Sequence, residues 1–244
     1  MPKFFVDPAS IQGSNIYITG DDVNHITKVL RLSENDIIMV CDGDGKDYKV
    51  SIRNLSKKEV VTEIMEEIPC LTEPPVKVVL FQGIPKASKM EYIIQKNTEL
   101  GISEIVPVLT HRTVVKIEDK KAETTKLDRW QKVALEAAKQ CNRGRVPVVS
   151  QPIRFYEALD RIAEMDIKMM PYEKENTHAL KTLLQSQTSP ATIGILIGPE
   201  GGFEESEVQE AQDKGISTVT LGPRILRTET AGASVLSILM YEYE

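Results

Sequence analysis

Two short stretches near the carboxy terminus have the residue types of a ligand site. Ile197-Gly198-Pro199-Glu200-Gly201-Gly202-Phe203 and Leu221-Gly222-Pro223-Arg224-Ile225-Leu226-Arg227-Thr228-Glu229-Thr230-Ala231 each begin at the end of an apolar, β-branched run. Gly198, Gly201, Gly202 and Gly222 have no Cβ to hold a ligand away from the main chain, and positive φ is open to them. The backbone amides and carbonyls of such loops can read the edge of an adenine without side chains. A Gly-Pro-Glu-Gly-Gly turn ahead of a helix is also a common structural turn. The second loop shifts the balance towards a ligand, because open α/β sheets place their sites in loops that directly follow strands. No GxGxxG follows a strand and no GxxxxGK[ST] is present, so neither a Rossmann dinucleotide site nor a phosphate loop is indicated.

Other residues with chemical potential are scattered. Cys41, Cys70 and Cys141 are far apart and form no CxxC pair, which argues against a disulfide framework and a zinc ribbon and for ordinary buried or half-buried thiols. His25, His111 and His178 are isolated and give no metal-ligand spacing, so no metal is expected. Asp42-Gly43-Asp44-Gly45-Lys46-Asp47 has the look of a calcium loop, but Arg53 stands where that loop needs a glutamate. It reads instead as a hairpin turn built on glycines with positive φ.

The chain has 244 residues, 41% hydrophobic and 27% charged, which suits one large domain or two modest ones. It contains no apolar run of bilayer-spanning length, and its start lacks the apolar core of a secretory signal, so a cytoplasmic location is expected. A formal charge of −6 argues against a nucleic-acid binder held by bulk positive charge. The distribution is uneven, however. From Arg112 to Arg145 ten Lys/Arg stand against five Asp/Glu, which fits either a basic face or a solvated helix surface.

The elements that must position these residues fall into two groups. Residues 15–19, 36–40, 48–52 and 59–64 read as strands of a small barrel, and Asp21 to Arg31 has helical spacing with Val23, Ile26, Val29 and Leu30 on one face. Around Ile68-Pro69-Cys70-Leu71-Thr72-Glu73-Pro74-Pro75 the prolines remove backbone donors. This divides the chain into residues 1–70, a linker over 71–75 and a second domain over 76–244. In the second domain strands alternate with helices: strands at 76–82, 105–109, near 148, 167–170, 192–197 and 218–221, and helices at 89–100, 124–141, 156–163, 176–184, 204–214 and 229–243. That alternation predicts an α/β domain with a mainly parallel sheet.

The paired loops resemble those of the knotted SPOUT methyltransferases, specifically the RsmE family, which methylates N3 of a uridine in 16S ribosomal RNA. The resemblance extends to Phe4-Phe5-Val6, His25 to Arg31, Gln95-Lys96-Asn97-Thr98-Glu99-Leu100-Gly101, Arg129-Trp130-Gln131-Lys132 and Glu136-Ala137-Ala138-Lys139-Gln140-Cys141-Asn142-Arg143. It implies a PUA-like RNA-binding barrel followed by a SPOUT domain whose end is threaded as a deep trefoil knot. The cofactor implied is S-adenosyl-L-methionine, held by Pro171 and Tyr172, by Ile197, Gly198, Pro199, Glu200, Gly201 and Gly202, and by Leu221, Gly222, Ile225 and Leu226. The partners implied are 16S rRNA or the small ribosomal subunit and a second copy of the chain. In the last helix Ala231, Val235, Ile238 and Leu239 fit either that homodimer interface or packing within one subunit.

The reaction the resemblance implies needs little help for the methyl donor but must prepare the nucleophile. Uridine N3 has to lose a proton while charge spreads onto O2 and O4. Arg227 is the first candidate to stabilise that charge, with Arg112 and Arg143 as others that can instead hold phosphates or pair with Glu229 or Glu200. Glu229 is the candidate base, or alternatively a carboxylate placed to stabilise the start of the last helix. RNA contacts are expected at Arg31, Lys96, Arg112, Arg143 and Arg145. Residues 1–70 carry eight Lys/Arg against twelve Asp/Glu, so a local patch involving Arg31, Lys28 or Arg53 must serve there. Another SPOUT RNA methyltransferase, or a non-catalytic assembly factor, are the alternative readings.

Overall fold

The computed structural model describes residues 1–113, 120–185 and 187–244. The basic segment at 112–145 therefore lies partly outside the described residues. The chain divides into two compact units, Met1–Glu73 with Ala138–Val146, and Pro74–Ala137 with Pro147–Glu244.

The first unit is built on a six-stranded sheet. Its strands are β1 (Lys3–Phe5), β2 (Ile11–Gln12), β3 (Asn15–Thr19), β4 (Ile37–Cys41), β5 (Lys46–Leu55) and β6 (Glu59–Pro69), in the order β1-β4-β5-β6-β3-β2. The expected strands are present, and β5 and β6 run longer than the sequence pattern suggested. Alternation drives one face inward: Ile16 and Ile18, Ile38 and Val40, Val50 and Ile52, and Val60 pack into one core. The turn between β4 and β5 is the expected glycine hairpin, with φ of 75° at Gly43 and 101° at Gly45. The Asp42 carboxylate accepts the Asp44 and Lys46 amides there, which gives the acidic turn a structural role.

The helix expected from Asp21 is α1 (Asp21–Asn24), continued by a wider π turn over His25–Val29. Burial pushes the Cys41 thiol up to about 12, as suits an inert core cysteine.

Segment 138–146 joins this unit through polar contacts. The Arg143 guanidinium donates to both Glu73 carboxylate oxygens at 3.2 and 2.7 Å, and Glu73 also accepts the Gly144 amide. Cys41 Sγ donates to the Gly144 carbonyl, and Lys139 pairs with Asp22. A boundary drawn from the prolines alone takes no account of this excursion, which rests on contacts far apart in sequence.

The second unit is an α/β layer structure. Its strands are β7 (Lys77–Gly83), β8 (Glu104–Leu109), β9 (Val148–Val149), β10 (Ile153–Arg154), β11 (Ile167–Pro171), β12 (Thr192–Ile197) and β13 (Ser217–Val219). They run in the order β10-β8-β7-β12-β11-β13, with β9 also paired to β8, and every ladder is parallel. A parallel sheet is covered on both faces, which is why β7 and β12 are buried along almost their whole length.

The helices are α2 (Lys89–Glu99), α3 (Lys120–Gln140), α4 (Phe155–Ala163), α5 (Leu180–Gln185), α6 (Glu205–Asp213) and α7 (Thr228–Tyr243). One core joins Val79, Phe81, Val106 and Leu196 of the sheet to Leu159 and Ile162 of α4 and Val208 and Ala211 of α6. On α7, Ala231, Val235 and Leu239 are buried within the unit while Ile238 is exposed, so the apolar stripe serves internal packing for the most part.

The expected helix 176–184 starts late, at Leu180. The Glu175 carboxylate takes the amides of Asn176, Thr177 and His178, which satisfies those donors in a turn and removes the need for helix there. No helix among the described residues is long and apolar enough to cross a membrane.

Candidate active site

Because the sheet is parallel, the segments after β7, β11, β12 and β13 all emerge at one edge. Three of them wall a pocket of about 800 Å³. All fourteen residues expected at a cofactor or catalytic position line it: Pro171, Tyr172, Ile197 to Gly202, Leu221, Gly222, Ile225, Leu226, Arg227 and Glu229. The loops are held side by side by the sheet and its extension. The Tyr172 amide donates to the Val219 carbonyl, and the Thr220 amide to that of His178.

The closeness of the backbones explains the small residues. A Cβ on Gly83 would lie 2.6 Å from Pro199 Cδ, and one on Gly198 would lie 3.1 Å from the Phe203 ring. Gly222, at φ 102°, would point a Cβ into open space, so its need is conformational. Phe203 anchors the loop by burying its ring against Phe155, 6.0 Å between centroids.

Sequence reasoning missed the residues that tie the loops together. Thr228 Oγ1 donates to the Gly198 carbonyl at 2.6 Å and accepts from Gln82 Nε2 at 2.9 Å. Gln82 Nε2 also donates to the Gly83 carbonyl, and Gln82 is fully buried. A glutamine ending the otherwise apolar run Val78-Val79-Leu80-Phe81 was the available signal. Lys89 was missed as well. Its Nζ lies 3.0 Å from Glu200 and 3.4 Å from Glu229, and the Lys86 amide donates to the same Glu200 carboxylate. The Glu200 hydrogen bond raises the Lys89 ammonium above its usual range. Burial opposes ionisation of Glu200, but its own amide, Lys89 and the Lys86 amide outweigh it and hold the carboxyl low.

Glu229 stands in the first turn of α7, where a carboxylate is favoured by the helix dipole. Its Oε2 is buried; Lys89 approaches it as a charge, without hydrogen-bond geometry. Arg227 caps the same helix and is exposed, and among the described residues no carboxylate lies within ion-pair distance of it. The Glu175 carboxyl, also in the pocket wall, is drawn down to about 2 by the Thr177 hydroxyl and the Thr177 and His178 amides.

The other expected cations are dispersed. Arg112 reaches the Gly201 carbonyl and Glu204, so it braces the loop and does not pair with Glu200 or Glu229. Lys96 pairs with Glu99 on α2. Arg143, expected as an RNA contact, has a side chain 5% exposed and donates to both Glu73 carboxylate oxygens. Arg145 is exposed beside Asp44. Arg31 is exposed at φ 53°, next to exposed Lys28 and Val29, whereas Arg53 is tied to Glu63 and Asn35. Among the described residues there is no group of His, Cys, Asp and Glu able to hold a metal.

Comparison with known proteins agrees with this architecture. Residues 72–240 match the RNA methyltransferase domain family, and residues 18–65 the RNA methyltransferase PUA domain family. Ribosomal RNA small subunit methyltransferase E of Bacillus subtilis is 38% identical, the alignment covering 100% of this chain and 98% of that protein. The protein of the same name from Mesomycoplasma hyopneumoniae is 33% identical, over 97% and 98%. The crystal structure of ribosomal RNA small subunit methyltransferase E from Neisseria gonorrhoeae, bound to S-adenosyl methionine, superposes with a TM-score of 0.86 at 32% identity, covering 99% of this chain and 97% of that one. With its whole length matched and the paired loops set around one pocket, this chain belongs to the ribosomal RNA small subunit methyltransferase E family of RNA methyltransferases.

Proposed function

We propose that this protein transfers a methyl group from S-adenosyl-L-methionine to N3 of a uridine in 16S rRNA. The observation that carries the reading is the pocket formed by the three loops, in a chain related over its whole length to proteins named for small-subunit rRNA methylation. The lining suits the cofactor. Glycines 198, 201, 202 and 222 expose backbone to it, and four carboxylates (Glu173, Glu175, Glu200, Glu229) stand against three cations (Lys89, Arg224, Arg227). That excess of one negative charge complements a ligand whose net charge is positive because of its sulfonium.

When bound, S-adenosyl-L-methionine supplies a methyl group already activated for displacement. The protein's task is the nucleophile. Arg227, exposed at the mouth and with no carboxylate within ion-pair distance among the described residues, stabilises the charge that develops on uridine O2 and O4 as N3 loses its proton. Glu229 accepts that proton, with the Lys89 ammonium 3.4 Å from its carboxylate. The target base must leave its stack to present N3, which favours a single-stranded or splayed site. Arg31 with Lys28 offers the barrel's contact to the RNA backbone, and Arg112, Arg145 and Lys96 are further contacts. The reading includes a domain division at residues 71–75, a trefoil thread at α7, a homodimer using exposed Ile238, and a cytoplasmic setting.

Transfer of labelled methyl from S-adenosylmethionine to small subunits lacking the modification tests this. Incorporation into RNA is expected. If the cofactor binds but no RNA of any kind is labelled, the protein is a binding factor and the catalytic reading fails.

A further inference from the structure

The motif Arg129-Trp130-Gln131-Lys132 takes no part in the pocket described above. Gln131 has a structural task, since its amide group bridges the Pro147 carbonyl and the Val149 amide. Trp130 and Arg129 instead line a second cavity of about 310 Å³ in the same unit, together with Met90, Glu91 and Lys126. Trp130, 8% exposed, forms part of its wall, and the exposed Lys126 and Arg129 stand at its rim. Arg129 pairs with Glu91. Among the described residues no carboxylate pairs with Lys126.

The position of this cavity matters more than its size. One of its walls is the segment 84–88, which leaves β7 at the same edge of the sheet as the three loops. The next residue, Lys89, lines the larger pocket, and the Lys86 amide holds Glu200 there. A single short segment thus separates the two cavities. Within it Ala87 adopts φ 54°, a conformation that an alanine rarely takes and that surrounding structure must enforce. Such strain gathers at sites that hold ligands.

Resting on the RNA-methyltransferase reading, we propose that the Trp130 cavity receives one unstacked nucleotide of the RNA strand that flanks the target base. The cavity wall, which includes Ile84, Pro85, Met90 and Trp130, is largely apolar, as a splayed base needs, and Lys126 and Arg129 meet its phosphates. A cavity of this volume is at the small end of ligand sites, the scale of one nucleotide. Engaging a neighbour in this way holds the strand open, so that the target base is presented beside Lys89 and Glu229 without restacking.

Trp130 is the only tryptophan of the chain, so its emission reports on this cavity directly. The full-length protein is titrated with an unstructured RNA hexamer and, separately, with a hexamer of the same backbone lacking bases. The expected result is a saturable change in emission with the first and none with the second. In the K126A/R129A variant the dissociation constant for the hexamer rises at least about fivefold. Its KM for small subunits rises with kcat retained, and its affinity for S-adenosylmethionine is unchanged. RNA binding without an emission change, or unaltered RNA affinity in the variant, overturns the proposal. Because the variant removes only exposed side chains, it should fold normally. An emission change in a protein that methylates no RNA would retain the cavity and remove the catalytic reading. Methyl transfer with an unchanged KM in the variant would do the reverse.

Discussion

The hydroxyl of Thr228 donates to the carbonyl of Gly198 across 2.6 Å, joining the first residue of the last helix to the loop after β12. The bond is completed from below by Gln82, whose amide donates to the same hydroxyl. One side chain therefore sets the spacing between two walls of the pocket. Thr228→Val keeps the shape and loses both bonds, so the Gly198 carbonyl loses its 2.6 Å donor and Gln82 Nε2 keeps only its bonds to backbone carbonyls. The expected cost is about 1–3 kcal/mol of stability and about a tenfold weaker grip on S-adenosylmethionine. Thr228→Ser, which retains the hydroxyl, should recover most of each, read by thermal unfolding and calorimetry.

Gly83 and Gly222 separate two reasons for glycine. Alanine at 83 drives a methyl to 2.6 Å from Pro199 Cδ and 2.7 Å from its backbone nitrogen, so the loop must shift, at about 1–3 kcal/mol. Alanine at 222 meets nothing within 4 Å and pays only for its φ of 102°, about 1–2 kcal/mol. Gly83→Ala should therefore weaken cofactor binding by displacing Pro199, whereas Gly222→Ala should chiefly lower the melting temperature. Equal effects of the two on cofactor affinity would count against this account.

The pH dependence has a named contributor. The Glu175 carboxyl is about 2 in the folded protein against an ordinary value of 4.5. Between those values the unfolded chain binds more protons than the folded one, so this group's stabilisation, complete above about pH 4.5, is lost as pH falls towards 2. Glu175→Gln should flatten that part of the acid unfolding curve and should loosen the Asn176–His178 turn at neutral pH. A mutant acid limb that superimposes on the wild type contradicts the assignment.

Arg143 and Arg145 were alike in sequence and differ in place. Arg143→Ala removes a buried guanidinium and leaves the half-buried Glu73 with only the Gly144 and Arg145 amides, and should cost about 1–3 kcal/mol in denaturant unfolding. Arg145 is 58% exposed, and its replacement should move stability by no more than about 0.5 kcal/mol. A small effect at 143 would mean that the ion pair with Glu73 does not hold segment 138–146.

Much of the fold was legible because its signals are local. The parallel sheet followed from buried apolar runs alternating with helices, and the two glycine loops stood out by composition. What stayed hidden depends on partners distant in sequence. Gln82 and Thr228 are 146 residues apart, and neither has a motif that reveals the other. The pairing of Arg143 with Glu73 joins residues 70 apart, and no local motif announces it. Similarly, Glu175 ended a helix before it began, by taking three amides that the helical periodicity of 176–184 had assigned to the ladder.

The central claim concerns which atom receives the methyl group and which residues prepare it. Small subunits lacking the modification are treated with enzyme and S-adenosylmethionine, and the digested RNA is analysed by mass spectrometry. The account predicts 3-methyluridine, formed at least about 100-fold more slowly by Arg227→Ala despite normal cofactor affinity. A 2'-O-methylated nucleoside or another methylated base in its place would contradict the assignment of N3, and full activity in Arg227→Ala would contradict the role given to that arginine.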